Sequence, residues 1–161
     1  MAQSKQEMLN EQLVNAVCKG DVIKVKALIT QGADPNIQND FCTTPAHEAA
    51  RYGHANVIVA LKEAGADLNK QDLDGHTPSH EAARYGYANV IIALKEVGAD
   101  LNKTDIHGNT PAHKAARKGY ADVLIVLKEA GADFSIKDDD DDTIADTARK
   151  RGHIALIPLI T

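Results

Sequence analysis

His47, His80 and His113 stand 33 residues apart, each closing a Thr-Pro-x-His run. Histidine is the commonest metal ligand, so a shared ion is the first chemistry to test. The spacing argues against it. One histidine falls on each copy of a repeated unit, and packed helices put such copies about 10 Å apart. Zinc ligands must lie about 2 Å from one ion, so these three are expected to serve structure, and no metal is expected at them. The run Asp138 to Asp142 invites a calcium reading, because Asp138, Asp140 and Asp142 match the first three ligand positions of a calcium loop. Thr143 then stands where a glycine is needed and Arg149 where a bidentate glutamate should be. A solvated acidic tip is the expectation there, with docking of a basic partner as the alternative.

Nucleophilic chemistry finds no footing. Neither Cys18 nor Cys42 has a histidine at a catalytic offset, the only serines are Ser4, Ser79 and Ser135, and no glycine-rich phosphate loop precedes a helix. Glu48 and Glu81 occupy equivalent positions of successive units and do not read as a facing acid–base pair. The expectation is no catalytic residue, no cofactor and no enzyme activity.

The elements that would position these residues follow from one period. Gly20, Gly53, Gly86, Gly119 and Gly152 fall 33 residues apart, and Gly-Ala-Asp keeps the same beat from Gly32, Gly65, Gly98 and Gly131. Asn39 to Gln71 and Asp72 to Thr104 agree at 23 of 33 positions. A fixed period of this size means one supersecondary unit stacked on copies of itself. Within a unit, Thr77 can cap a helix and Pro78 suits its first position. Ala82 and Ala83 lie on that short helix, which Gly86 stops. Val90, Ile91, Ala93 and Leu94 form the apolar stripe of a second helix, which Gly98 stops. Residues 99–107 read as extended and polar, ending in a tight hairpin turn. No unit can bury its own stripe, so neighbours stabilise one another.

The Thr-Pro-x-His opening, central glycine, Val-Ile helix and Gly-Ala-Asp-x-Asn close resemble the ankyrin repeat over nearly the whole chain. The resemblance implies an all-α fold with β-hairpin connections, an ankyrin-repeat α-solenoid. It divides the chain into a short polar segment (1–9) and a repeat domain (10–161). The domain comprises an N-terminal cap (10–38), repeats at 39–71, 72–104 and 105–137, and a C-terminal cap (138–161). In the last unit Asp146 takes the histidine's place, and Pro158 falls early in the final helix. The chain departs from the family's usual leucines at Ala46, Ser79 and Ala112, at Ala60, Ala93 and Val126, and at Lys62, Lys95 and Lys128, a consistent repacking of the helix pair. Asn36, Asn69 and Asn102 are expected to bond local backbone. Leu61 and Asp67 before Asn69 also resemble the context in which asparaginyl hydroxylases act.

Composition narrows the setting. No apolar stretch follows the polar opening Met1 to Lys5, so no signal peptide is expected, and the apolar run Ile154 to Ile160 is far too short to span a membrane. Two cysteines in different units suit a reducing compartment, cytoplasmic or nuclear. A net charge of −5 weighs against nonspecific nucleic-acid binding.

An extended concave surface with no closed pocket favours binding over catalysis. Arg51-Tyr52, Arg84-Tyr85, Arg117-Lys118 and Lys150-Arg151 recur on the beat and form a ladder at the ends of the first helices. The resemblance implies that partners are gripped there and at the hairpin tips. The tips carry apolar Phe41, Leu73 and Ile106 beside polar Asp74, His76, His107 and Asn109. Within the helices Glu48 and Glu81 are positioned to neutralise Arg51 and Arg84, whereas Lys114 leaves Arg117 without such a partner. The expected function is a monomeric protein-binding module whose partner is a protein, with acidic or phosphorylated segments among the candidates. Alternatives are an inhibitor or regulator of an enzyme, pathogen effectors included, and an engineered scaffold, against which Cys42 and the small core residues argue.

Overall fold

The computed structural model describes residues 2–161. Two rows of short helices run side by side. The inner row holds α1 (Lys5–Cys18), α3 (Pro45–Arg51), α5 (Pro78–Tyr85), α7 (Pro111–Lys118) and α9 (Ile144–Lys150). The outer row holds α2 (Val22–Thr30), α4 (Ala55–Glu63), α6 (Ala88–Glu96), α8 (Ala121–Glu129) and α10 (Ile157–Ile160), the last led in by a 3-10 turn at Ile154–Leu156. Each helix packs on its partner within the unit and on the equivalent helix of the next unit. No helix is long and apolar enough to cross a membrane among the described residues.

The core is the stripe anticipated above. Val57, Ile58 and Leu61, then Val90, Ile91 and Leu94, then Val123, Leu124 and Leu127 are wholly buried between the rows. Burying one such side chain is worth about 1.5–3 kcal/mol. Ala46, Ser79 and Ala112 are also buried, so small residues set the spacing of the inner helices. The outer row tolerates apolar exposure, with Ile92 and Ile125 each partly in water.

The Thr-Pro-x-His runs explain how inner helices start. His80 Nδ1 accepts the Thr77 N–H at 3.1 Å while Thr77 Oγ1 accepts the His80 N–H at 3.4 Å, a reciprocal cap. Since Nδ1 accepts, Nε2 carries the proton, and it donates to the Asn109 carbonyl of the next unit at 2.8 Å. His47 reaches the His76 carbonyl and His113 the Asp142 carbonyl in the same way. Both nitrogens of each histidine are thus committed to protein groups. Burial pushes all three below the usual histidine value, His80 to about 4.

The connections are tight turns rather than strands. Asp72 Oδ1 accepts the N–H groups of Asp74 and His76, both at 2.9 Å, and the His76 carbonyl accepts the Asp72 N–H at 2.9 Å. Adjacent tips share one backbone bond each: Leu73 N–H to the Phe41 carbonyl, Ile106 to Asp74, and Asp139 to His107, all at 3.1 Å. A single bond per junction forms no ladder, which is why the hairpins carry no strand among the described residues. Gly75 sits where the tips close in, at φ +75, and a Cβ there would lie 2.9 Å from the Ile106 nitrogen.

Two details differ from expectation. Helix α1 begins at Lys5, inside the anticipated lead-in, because Ser4 and Glu7 form a reciprocal cap. Asn36, Asn69 and Asn102 do not serve their own turns. Each Oδ1 accepts a backbone N–H of the next unit, from Asp67, Asp100 and Asp133 respectively. The local turns are made by the aspartate two residues earlier: Asp34, Asp67 and Asp100 accept the N–H of Asn36, Asn69 and Asn102.

Candidate partner-binding site

The tip residues Phe41, Leu73 and Ile106 are 69%, 61% and 58% exposed, and the bonds between tips set them in a row. Tyr52 and Tyr85, at the ends of α3 and α5, are also well exposed. The tips and the first-helix ends thus both present apolar or aromatic side chains to water.

The charged side is arranged differently. Arg51 is held twice, by Glu48 Oε1 at 3.1 Å and by Glu81 Oε2 of the next unit at 3.0 Å. Burial pushes Glu48 up against the opposing pull of Arg51, and the nearby Glu81 adds to the rise. The two glutamates, expected to stand apart as repeat equivalents, therefore share one guanidinium. Glu81 is consequently lost to Arg84, its expected helical partner. Arg84 lies over the Tyr85 ring instead, 5.7 Å from its centroid, a favourable placement for a guanidinium.

Arg117 is less free than its helix neighbours implied. Its Nη2 donates to Asn109 Oδ1 at 3.1 Å and it is half-buried, while Nε is buried without an acceptor. Lys118 is the exposed cation at that level. Lys150 is paired with Asp142, and Arg151 is exposed with no carboxylate in salt-bridge range among the described residues. Asn109 and His76 prove to be buried parts of the tips rather than exposed grips, whereas Asp74 and His107 stay exposed. The acidic run at 138–142 is a turn whose Asp138 Oδ1 accepts backbone N–H groups and whose Asp142 is neutralised by Lys150.

Between α5, α7 and their tips lies a cleft of about 390 Å³ lined by Asp74, His76, Arg84, His107, Lys114, Arg117 and Lys118. Four of its seven walls are cationic. Among the described residues, Lys114 alone of these four is spent in an ion pair, on Asp105. Asp105 is buried, which alone would raise its pKa. Contacts from His76, Lys114 and the N–H groups of Asn109 and His107 outweigh this and hold it well below the usual carboxylate range.

Sequence reading missed this buried ionic group of Glu81, Asp105, Lys114 and His76. One signal was available. The positions equivalent to Asp72, His76 and Glu81 read Asn39, Thr43 and Glu48 in the preceding unit, then Asp105, Asn109 and Lys114 in the following one. Only the middle unit carries three ionisable residues that are all potential ligands. In the structure they bring Asp72, His76 and Glu81 oxygens and nitrogen within 4.8 Å of one another.

A family model described as ankyrin repeats (3 copies) matches residues 13–105 and 64–138. No curated protein matches the chain. Paired helices on a 33-residue beat, tips in a row and a match spanning most of the sequence lead to one statement: this chain belongs to the ankyrin-repeat family.

Proposed function

We propose that the chain is a protein-binding module without a catalytic step, gripping one partner across its tips and concave face. An acidic or phosphorylated segment of that partner sits in the cleft between α5 and α7. Ankyrin repeats serve in general as protein–protein interaction modules, which supports the first half of this reading. The second half rests on one observation. Arg84, Arg117 and Lys118 converge on a single cleft with no carboxylate in salt-bridge range among the described residues, beside exposed Tyr85 and Leu73. Free guanidinium groups recognise carboxylate and phosphate by paired hydrogen bonds, and Arg117 retains a buried N–H for an acceptor. Tyrosine and arginine are also the side chains that most often dominate interface energies. The free thiols Cys18 and Cys42 support an intracellular place of action.

The test compares two double variants in affinity capture and then in titration of the captured protein. Arg84→Ala with Lys118→Ala removes charge from the cleft. Lys62→Ala with Lys95→Ala removes equal charge from the outer row. The cleft variant should lose about 2 kcal/mol or more and the outer variant well under ~1 kcal/mol. Added salt should weaken the wild type more than the cleft variant. Equal losses from both variants place the partner on another face.

A further inference from the structure

The proposal here is independent of the partner-binding reading. We propose that Asp72, His76 and Glu81 form a zinc site at the rim of the cleft. His76 Nδ1 lies 3.8 Å from Asp72 Oδ2 and 3.7 Å from Glu81 Oε1. Tetrahedral zinc ligands at about 2.0–2.2 Å from the ion stand about 3.3–3.6 Å apart, so the two distances from His76 need a contraction of only a few tenths of an ångström, while the Asp72 and Glu81 oxygens lie within 4.8 Å of each other. All three atoms are free of other work. Asp72 spends Oδ1 on the turn, and Glu81 spends Oε2 on Arg51. The Glu81 side chain is 2% exposed, and its Oε1 faces the imidazole 3.7 Å from Nδ1.

The surroundings favour a cation at this point. His76 Nε2 stands 3.4 Å from Asp105 Oδ2. A proton on Nε2, directed at that carboxylate, leaves the Nδ1 lone pair pointing between two more carboxylates. Zinc-binding histidines commonly turn their second nitrogen to a carboxylate in this way. Asp72, Glu81, Asp105 and Glu48 face two cations, Arg51 and Lys114, which leaves two net negative charges for the ion. One imidazole and two carboxylates suit zinc, whereas calcium and magnesium need about six or more oxygens. The fourth position falls to water, since His76 borders the cleft.

Three substitutions copy residues that the chain itself uses at equivalent positions and so preserve the turns. Asp72→Asn copies Asn39, His76→Asn copies Asn109, and Asp105→Asn copies Asn39 in the unit after. Chelator-stripped full-length protein is titrated with zinc by calorimetry, and with cobalt while its visible absorption is recorded. Wild type should bind about one zinc per chain, show the intense absorption of tetrahedral cobalt, and melt at a higher temperature with zinc present. His76→Asn and Asp72→Asn should each weaken zinc by about a hundredfold, and Asp105→Asn by about tenfold. Absence of zinc binding by the wild type overturns the proposal. Binding that survives His76→Asn also overturns it, since the ion then sits at the aspartate run or the thiols. If a variant fails to fold, the wild-type cobalt spectrum decides, and an octahedral spectrum counts against the site.

Discussion

Arg51 Nε lies 3.0 Å from Glu81 Oε2, 30 residues along the chain and one unit away. The carboxylate is buried while the guanidinium is partly in water. This asymmetry decides the cost of breaking the pair. Arg51→Ala leaves a buried charge uncompensated and should cost about 3 kcal/mol. Arg149→Ala removes an exposed pair with Asp146 and should cost under ~1 kcal/mol. Urea unfolding of both variants checks this, and equal losses would mean that Glu81 finds water or another cation when Arg51 is gone.

Gly75 and Cys42 hold the same place in successive tips, both left-handed, at φ +75 and φ 59. A side chain at position 75 meets the strain of that conformation, roughly 1–2 kcal/mol, and also the Ile106 backbone at 2.9 Å. Gly75→Ala should therefore destabilise by about 2 kcal/mol or more. Cys42→Gly should instead leave stability unchanged or raise it by up to ~1 kcal/mol, since strain relief offsets the added freedom of the unfolded chain. In thermal melts the Gly75→Ala midpoint should fall clearly, while the Cys42→Gly midpoint should stay level or rise.

Acid should destabilise the fold through its capping histidines. His80 drops from 6.5 to about 4 on folding, first because burial penalises the charged ring. His47 and His113 shift the same way. Between those values the unfolded chain binds more protons than the folded one, so stability falls as pH falls. The contribution of His80 is whole above pH 6.5 and drains away toward pH 4, a loss of about 3 kcal/mol. Chemical unfolding at stepped pH in the presence of chelator measures it. His80→Gln, which removes the titrating ring, should flatten the pH dependence within that window.

The repeat itself was legible because its signals are local. Gly86 and Gly98 punctuate, Thr77 and Pro78 open a helix, and Val90, Ile91 and Leu94 share a face within a single window of sequence. The exposed tip residues Phe41, Leu73 and Ile106 were legible for the same reason. Ion pairing was not. Helical spacing correctly joined Arg51 to Glu48, but it gave Glu81 to Arg84 when stacking gives it to Arg51. The Asn36, Asn69 and Asn102 bonds failed alike, for each acts 31 residues downstream. Spacing along one helix reports three- and four-residue neighbours, whereas the stack makes neighbours of residues about one period apart. The His76 surroundings were hidden by the same geometry, since Asp105 belongs to the following unit.

The Asn36, Asn69 and Asn102 bonds have a mechanical reading. Each links one loop only to the loop after it, and no disulfide spans the stack. Tension applied at the two ends of the chain therefore loads the junctions in series, like links in a tow rope, and the weakest yields first. Every unit that peels away releases about 110 Å of contour, at roughly 3.3 Å per residue. The units that remain keep their contacts, so the molecule lengthens in steps.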